Sequence, residues 1–174
     1  MKTILSIALF IGLVGCQETT LDENYSAAAN RISESEVKAV NLNEETASQI
    51  LTGYLKIKDA LVNTDVDAAA YAAEGLLFDF EENENELIKK IFIEVKLIAH
   101  SKDVDQQRIY FEGLSLNIYI FAKNTEAELN LYQQYCPMAF ENTGAYWISD
   151  EEKVYNPYFG DKMLRCGKVT EVIE

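Results

Sequence analysis

A mainly α fold, an antiparallel four-helix up-and-down bundle with a small C-terminal β-containing cap, is predicted by three observations. Four stretches between Glu44 and Lys123 repeat apolar residues at three- and four-residue steps, the period of an amphipathic helix. Their connections are short, which suits antiparallel neighbours. After about residue 125 the pattern changes to short alternating runs separated by turn residues, and such runs read as strands.

The first helix is predicted from about Glu44 to Asn63. It carries Ala47, Ile50, Tyr54, Ile57 and Leu61 on one face, with Asn43 as its N-cap. Thr64-Asp65 stops and restarts the chain. The second helix, about Val66 to Phe80, presents Ala69, Ala70, Ala73, Leu76, Leu77 and Phe80, and its alanines permit close approach of a neighbour. The acidic run Glu81 to Asn85 reads as a solvated loop without an EF-hand pattern. The third helix, Glu86 to His100, shows Leu87, Ile91, Val95 and Ile98 beside a second ridge of Ile88, Phe92 and Ala99. The fourth follows Asp103, an N-cap with Gln106 three residues on. It reaches about Lys123 with Phe111, Leu114, Ile118 and Phe121 in one stripe. Each helix alone is marginal in water, so the packed stripes must stabilise all four. In the cap, about 126–174, Leu129 to Tyr135 is an extended or short helical lead-in. Ala145–Ser149 and Lys153–Tyr155 are expected as two short strands around the Asp150–Glu152 turn. Asn156-Pro157 is a turn signal, and Lys168–Ile173 is a closing strand.

The 174 residues suffice for one domain with a core but not readily for two. A net charge of −14 argues against nucleic acid, since phosphate binding needs clustered Lys and Arg, and against docking on anionic lipid. The first sixteen residues are set apart from the fold. Lys2 precedes an apolar run, Ile4 to Val14, that is too short to span a bilayer. The run ends in Leu13-Val14-Gly15-Cys16, which resembles the lipobox of bacterial lipoproteins and implies a diacylated Cys16 as the mature N-terminus. Gln17, which is not an aspartate, favours the outer membrane. The expected organisation is a signal peptide at 1–16, a polar tether at 17–43 and one domain at 44–174. The chain is then anchored in the cell envelope by lipid without spanning a membrane.

With Cys16 committed to lipid, Cys136 and Cys166 remain as an even pair in an oxidising compartment. Met138 and Met163, the two internal methionines, stand close to them in sequence. Thiolate and thioether sulfurs are soft donors that select Cu(I) or Ag(I) over hard cations. In an extended chain Cys136-Pro-Met138 places both sulfurs on one face, and Met163-Leu-Arg-Cys166 does so on a helical turn. Cys136, Met138, Met163 and Cys166 are therefore candidate metal ligands. A structural Cys136–Cys166 disulfide, with the methionines as core filler, is the competing expectation. Closing that loop would stabilise the fold by about 3–4 kcal/mol. In that case the domain is a non-catalytic interaction module.

Nothing in the chain points to an enzyme. His100 is the only histidine and sits at a predicted helix C-terminus, where an imidazole complements the dipole. No hydrolytic triad, phosphate loop or dinucleotide fingerprint is present. Trp147, Tyr146, Tyr155, Tyr158 and Phe159 are expected to form the core of the cap more than a recognition surface.

Several segments together resemble an uncharacterised bacterial domain. They are Ala60-Leu-Val-Asn-Thr-Asp65, Gln107-Arg108 with Phe111 and Leu114-Ser115, Tyr135-Cys-Pro-Met-Ala-Phe140, Gly144-Ala-Tyr-Trp-Ile-Ser149, Asn156-Pro-Tyr-Phe-Gly160 and Met163-Leu-Arg-Cys-Gly167. That domain occurs on lipoproteins and is also appended to periplasmic adaptor subunits of copper and silver efflux pumps. The resemblance spans about Asn43 to Ile173. It implies heavy-metal handling outside the cytoplasm, with Cys136, Met138, Met163 and Cys166 as the residues carried over and efflux components as conceivable partners. The adaptor's own hairpin and barrel regions are missing from this chain, which is not expected to act as a pump component by itself.

Overall fold

The computed structural model of the protein describes residues 44–77, 85–125 and 129–173. The predicted lipobox with Cys16, the tether, the Asn43 cap, the end of the second predicted helix and most of the acidic run lie outside the described residues.

Four long helices form as the periodicity predicts: α1 (Glu44–Val62), α2 (Val66–Leu77), α3 (Glu86–His100) and α4 (Val104–Lys123). Consecutive helices pack on one another, and α1 also meets α4. The caps explain where the helices begin. Asp103 accepts a hydrogen bond from the Gln106 backbone N–H at 2.9 Å, and Asn85 accepts from Leu87 N–H at 3.0 Å, each satisfying a donor left over in a first turn. Asp65 does the same for Ala68 N–H at 2.9 Å. Ile50, Tyr54, Ile57, Leu61, Ile88, Ile91, Phe111, Leu114, Ile118 and Phe121 form the core between the helices. None of the described helices is long and apolar enough to cross a membrane.

The α1–α2 pair is close because Gly53 and the alanines of α2 leave room for it. A Cβ on Gly53 would overlap the Leu76 side chain of α2. Gly53→Ala is therefore expected to destabilise the protein by about 1–3 kcal/mol through overpacking, read by urea unfolding. An unchanged midpoint would show that the helices separate freely.

The cap is a three-stranded antiparallel sheet in the order β2-β1-β3, built from β1 (Leu131–Cys136), β2 (Ala145–Ser149) and β3 (Lys168–Ile173). β1 is central. Gln134 faces Trp147 on one side and Val169 on the other, and a bulge at Gln133/Gln134 shifts the β3 register. The sheet packs on α4 and α1 through β2. Tyr54 of α1 joins the three elements. Its ring stacks on Phe111 of α4 at 5.1 Å, its hydroxyl lies 2.8 Å from the Ser115 hydroxyl, and it accepts from Ile148 N–H of β2 at 3.0 Å.

One expected strand is absent. Lys153–Tyr155 does not pair with the free outer edge of β2; instead the buried Gln134 side chain of β1 holds the connection after β2 by donating to the carbonyls of Glu151 at 2.7 Å and Glu152 at 3.3 Å. Tyr155 instead lies between two cations, with the Arg165 guanidinium 4.0 Å and the Lys153 ammonium 5.3 Å from its ring centre. The link between β1 and β2 is also unusual. Phe140, Glu141 and Asn142 have φ of 48°, 55° and 69°, a left-handed turn that costs L-residues about 1–2 kcal/mol each.

Candidate functional site

β1 ends at Cys136 because Pro137 has no N–H to donate to a ladder. Cys136 sits opposite Ala145 of β2 and is completely buried. Thirty residues on, Cys166 occupies the turn that follows a short 3₁₀ helix, Gly160–Lys162, and is half-buried. The fold brings these two thiols together. Both are free, and their Sγ atoms are 3.1 Å apart.

The Cys166 turn is held from several directions. Its N–H donates to the Met163 carbonyl at 3.0 Å. The buried Asn156 amide donates to the Cys166 carbonyl at 2.7 Å, while its oxygen accepts from Tyr158 N–H at 2.8 Å. The next residue, Gly167, has φ of +146°, and a Cβ there would come within 2.9 Å of Trp147 Cη2 and 3.0 Å of the Tyr135 carbonyl oxygen. Only glycine lets the strand that starts at Lys168 lie so close to β1 and Trp147. Beneath the pair Trp147 is fully buried and meets Tyr158 edge-on at 5.9 Å, and Tyr158 packs on Phe140 at 5.3 Å. The Tyr158 hydroxyl donates to the Tyr146 carbonyl. Burial pushes its phenol well above the ordinary tyrosine range, and Cys136 is among the neighbours whose charge would push it further.

The sulfur pair is electrostatically coupled. The hydrogen bond with Cys136, and then partial burial, push the Cys166 thiol up to about 11. A negative charge on one sulfur penalises a second charge at this distance, so Cys166 is a thiol at neutral pH.

The methionines are placed differently from each other. Met163 shares the Cys166 turn and is half-buried, but the turn is not helical, with Met163 at φ −149° and ψ 50°. The extended Cys136-Pro-Met138 geometry does not form. The chain turns at Pro137, Met138 adopts φ −97° and ψ −8°, and its side chain is 45% exposed while Cys136 is fully buried. Among the described residues, no three His, Cys, Asp or Glu side chains converge as a metal site. His100 is exposed at the end of α3, its Nδ1 2.8 Å from the Lys96 carbonyl oxygen, a helix-end contact as its position suggests. Of the aromatic group, Trp147 and Tyr158 belong to the core, whereas Tyr146 lies on the outer face of the sheet against Tyr135, ring centres 4.5 Å apart.

Asn156 and Trp147 were not apparent as supports of the cysteine turn. Asn156-Pro157 signals a turn but not that the amide would cross it to the Cys166 carbonyl. Gln134 was missed as well, since a glutamine in a strand lead-in carries no sign of full burial.

No curated protein and no solved structure matches the chain. A family match does exist, and it runs from within α1 to just before β1 and both cysteines: residues 50–129 are similar to a family described as "Protein of unknown function (DUF3347)".

Proposed function

We propose that the protein is a non-enzymatic, lipid-anchored module of the cell envelope, held at the outer membrane through Cys16. Its C-terminal cap captures a soft monovalent cation of the Cu(I) or Ag(I) kind for metal handling or resistance. Cys136 and Cys166 are the anionic donors, and Met163 on the Cys166 turn and the more exposed Met138 are the thioethers that would complete the set. The observation that carries this is the convergence of two thiols from separate turns to 3.1 Å, one buried and one reachable from solvent. Two thiol sulfurs favour a low-coordinate soft ion, whereas zinc sites take three or four His, Cys or carboxylate ligands. Metal–sulfur bonds of about 2.3 Å at a wide angle need sulfurs about 4 Å apart, so the pair opens slightly on loading. Supporting evidence from sequence comes from the lipobox-like Leu13-Val14-Gly15-Cys16 and from the resemblance to domains carried by copper and silver efflux adaptors, whose pumps are the partner class this function suggests.

Titration of the reduced protein with Cu(I) against a competing chelator tests the proposal. One equivalent is expected to bind, and Cys136→Ser/Cys166→Ser is expected to lose at least about a hundredfold in affinity, since neutral hydroxyls replace the soft anionic donors. A double variant that binds as tightly as the wild type would remove the site.

The 3.1 Å separation also favours a second reading, because a small movement in the other direction makes a disulfide. The cap would then be a clasped interaction module. Thiol labelling of denatured protein, isolated from the envelope without reductant, separates the two: blocked thiols with no retained metal belong to the clasp.

A further inference from the structure

The two sulfurs differ in access as much as they agree in position. Cys136 is 0% exposed at the end of the central strand, whereas Cys166 stands half-buried on a surface turn held by Asn156 and Met163. We infer that the reduced pair exchanges with an external disulfide in a fixed order, with Cys166 as the entry sulfur and Cys136 as the resolving sulfur, and that the resulting disulfide closes the cation site.

In the first step the Cys166 thiolate attacks one sulfur of R–S–S–R. A Cys166–S–S–R mixed disulfide forms, and RS⁻ leaves and takes up the proton that Cys166 gave to solvent. In the second step the Cys136 sulfur attacks Cys166 Sγ, loses its own proton to solvent, and expels the second RS⁻. The protein loses two electrons and two protons in all, and R–S–S–R becomes two RSH. Intramolecular resolution is fast because the attacking sulfur already lies 3.1 Å from its target. The closure of the cation site rests on the function proposed above, whereas the order of exchange rests on the geometry alone.

The test uses oxidised glutathione as the disulfide and mass spectrometry of the full chain after acid quench. Cys136→Ser is expected to accumulate a glutathione adduct on Cys166. Cys166→Ser is expected to react at least about tenfold more slowly, in proportion to the burial of the remaining thiol. Wild type is expected to pass to the intramolecular disulfide with little adduct. If Cys166→Ser reacts as fast as Cys136→Ser while both melt within a few degrees of wild type, the assigned order is wrong. The order is equally overturned by a stable adduct on the wild type, a measurement that needs no variant. Cu(I) competition on reduced and oxidised wild type completes the set. At least about a hundredfold weaker binding after oxidation supports closure, and equal binding overturns it. If neither form binds Cu(I) but exchange follows the stated order, the proposed metal function falls and the exchange stands.

Discussion

Cu(I) capture by the reduced protein is expected to weaken at least about a hundredfold when the pH falls from 8 to 6. The cause is the proton on Cys166. Its thiol is pushed up to about 11 by the hydrogen bond with Cys136 and by burial, so it is protonated throughout that range. A bound soft cation must displace that proton. Each unit of falling pH raises the proton's competition tenfold, about 1.4 kcal/mol, and two units give the hundredfold from Cys166 alone. Any further proton released from the pair adds to the slope in the same direction, so affinity rises with pH and never falls. Competition titrations at pH 6, 7 and 8, with the chelator corrected for its own protonation, measure the slope. A flat profile would mean that the cation does not bind the Cys166 thiolate.

Trp147→Ala is expected to cost about 3–5 kcal/mol, the range for removing a large aromatic side chain from a core. Trp147 is fully buried, meets Tyr158 edge-on at 5.9 Å and lies under the backbone of Gly167. Its removal leaves a cavity between the sheet and the turn that carries Cys166. The indole nitrogen is buried without a hydrogen-bond partner, so the ring contributes packing and no polar bond. Trp147→Phe should therefore keep most of the stability, losing only the transfer and cavity terms of the smaller volume. Urea unfolding of the three proteins in reductant tests both statements. A Trp147→Ala cost below about 1 kcal/mol would show that the cap is not packed on this ring.

The bundle was legible because its signal is local. Residues three and four apart in sequence occupy one helix face, and Ile50, Tyr54, Ile57 and Leu61 are all fully buried. The Asp103 cap and the strands at Ala145–Ser149 and Lys168–Ile173 were equally local. The cap was legible only in part. Lys153–Tyr155 has the look of a strand, but the carbonyls just before and beside it, Glu151 and Glu152, go to the distant Gln134 side chain and the free edge of β2 stays unpaired. Buried polar groups were hidden for a related reason. Lys58 is 2% exposed and sits 3.0 Å from Asp150 of the β2 turn, and Arg108 is 4% exposed and donates to the Pro157 carbonyl at 2.9 Å. Lys58 also pairs with adjacent Asp59 and Arg108 with Asp105, but the partners that account for burial lie 92 and 49 residues away, beyond any periodicity. For the site, four sulfurs near two turns were visible, but which of them converge was not. The tertiary fold brings Cys136 to Cys166, while the turn at Pro137 sends Met138 outward.

The strand order also governs when the sulfurs can meet. Contacts between consecutive helices join chain neighbours and form quickly, whereas pairing Leu131 with Ile173 must wait for a more distant segment. Until β3 arrives, the central strand Leu-Tyr-Gln-Gln-Tyr-Cys has an open edge, the kind of surface on which chains aggregate. The turn bearing Cys166 leads directly into β3, so the same late event covers that edge and brings the thiols together. During biogenesis the dithiol thus reports that the sheet is complete, and a thiol oxidised before that moment has no native partner in place.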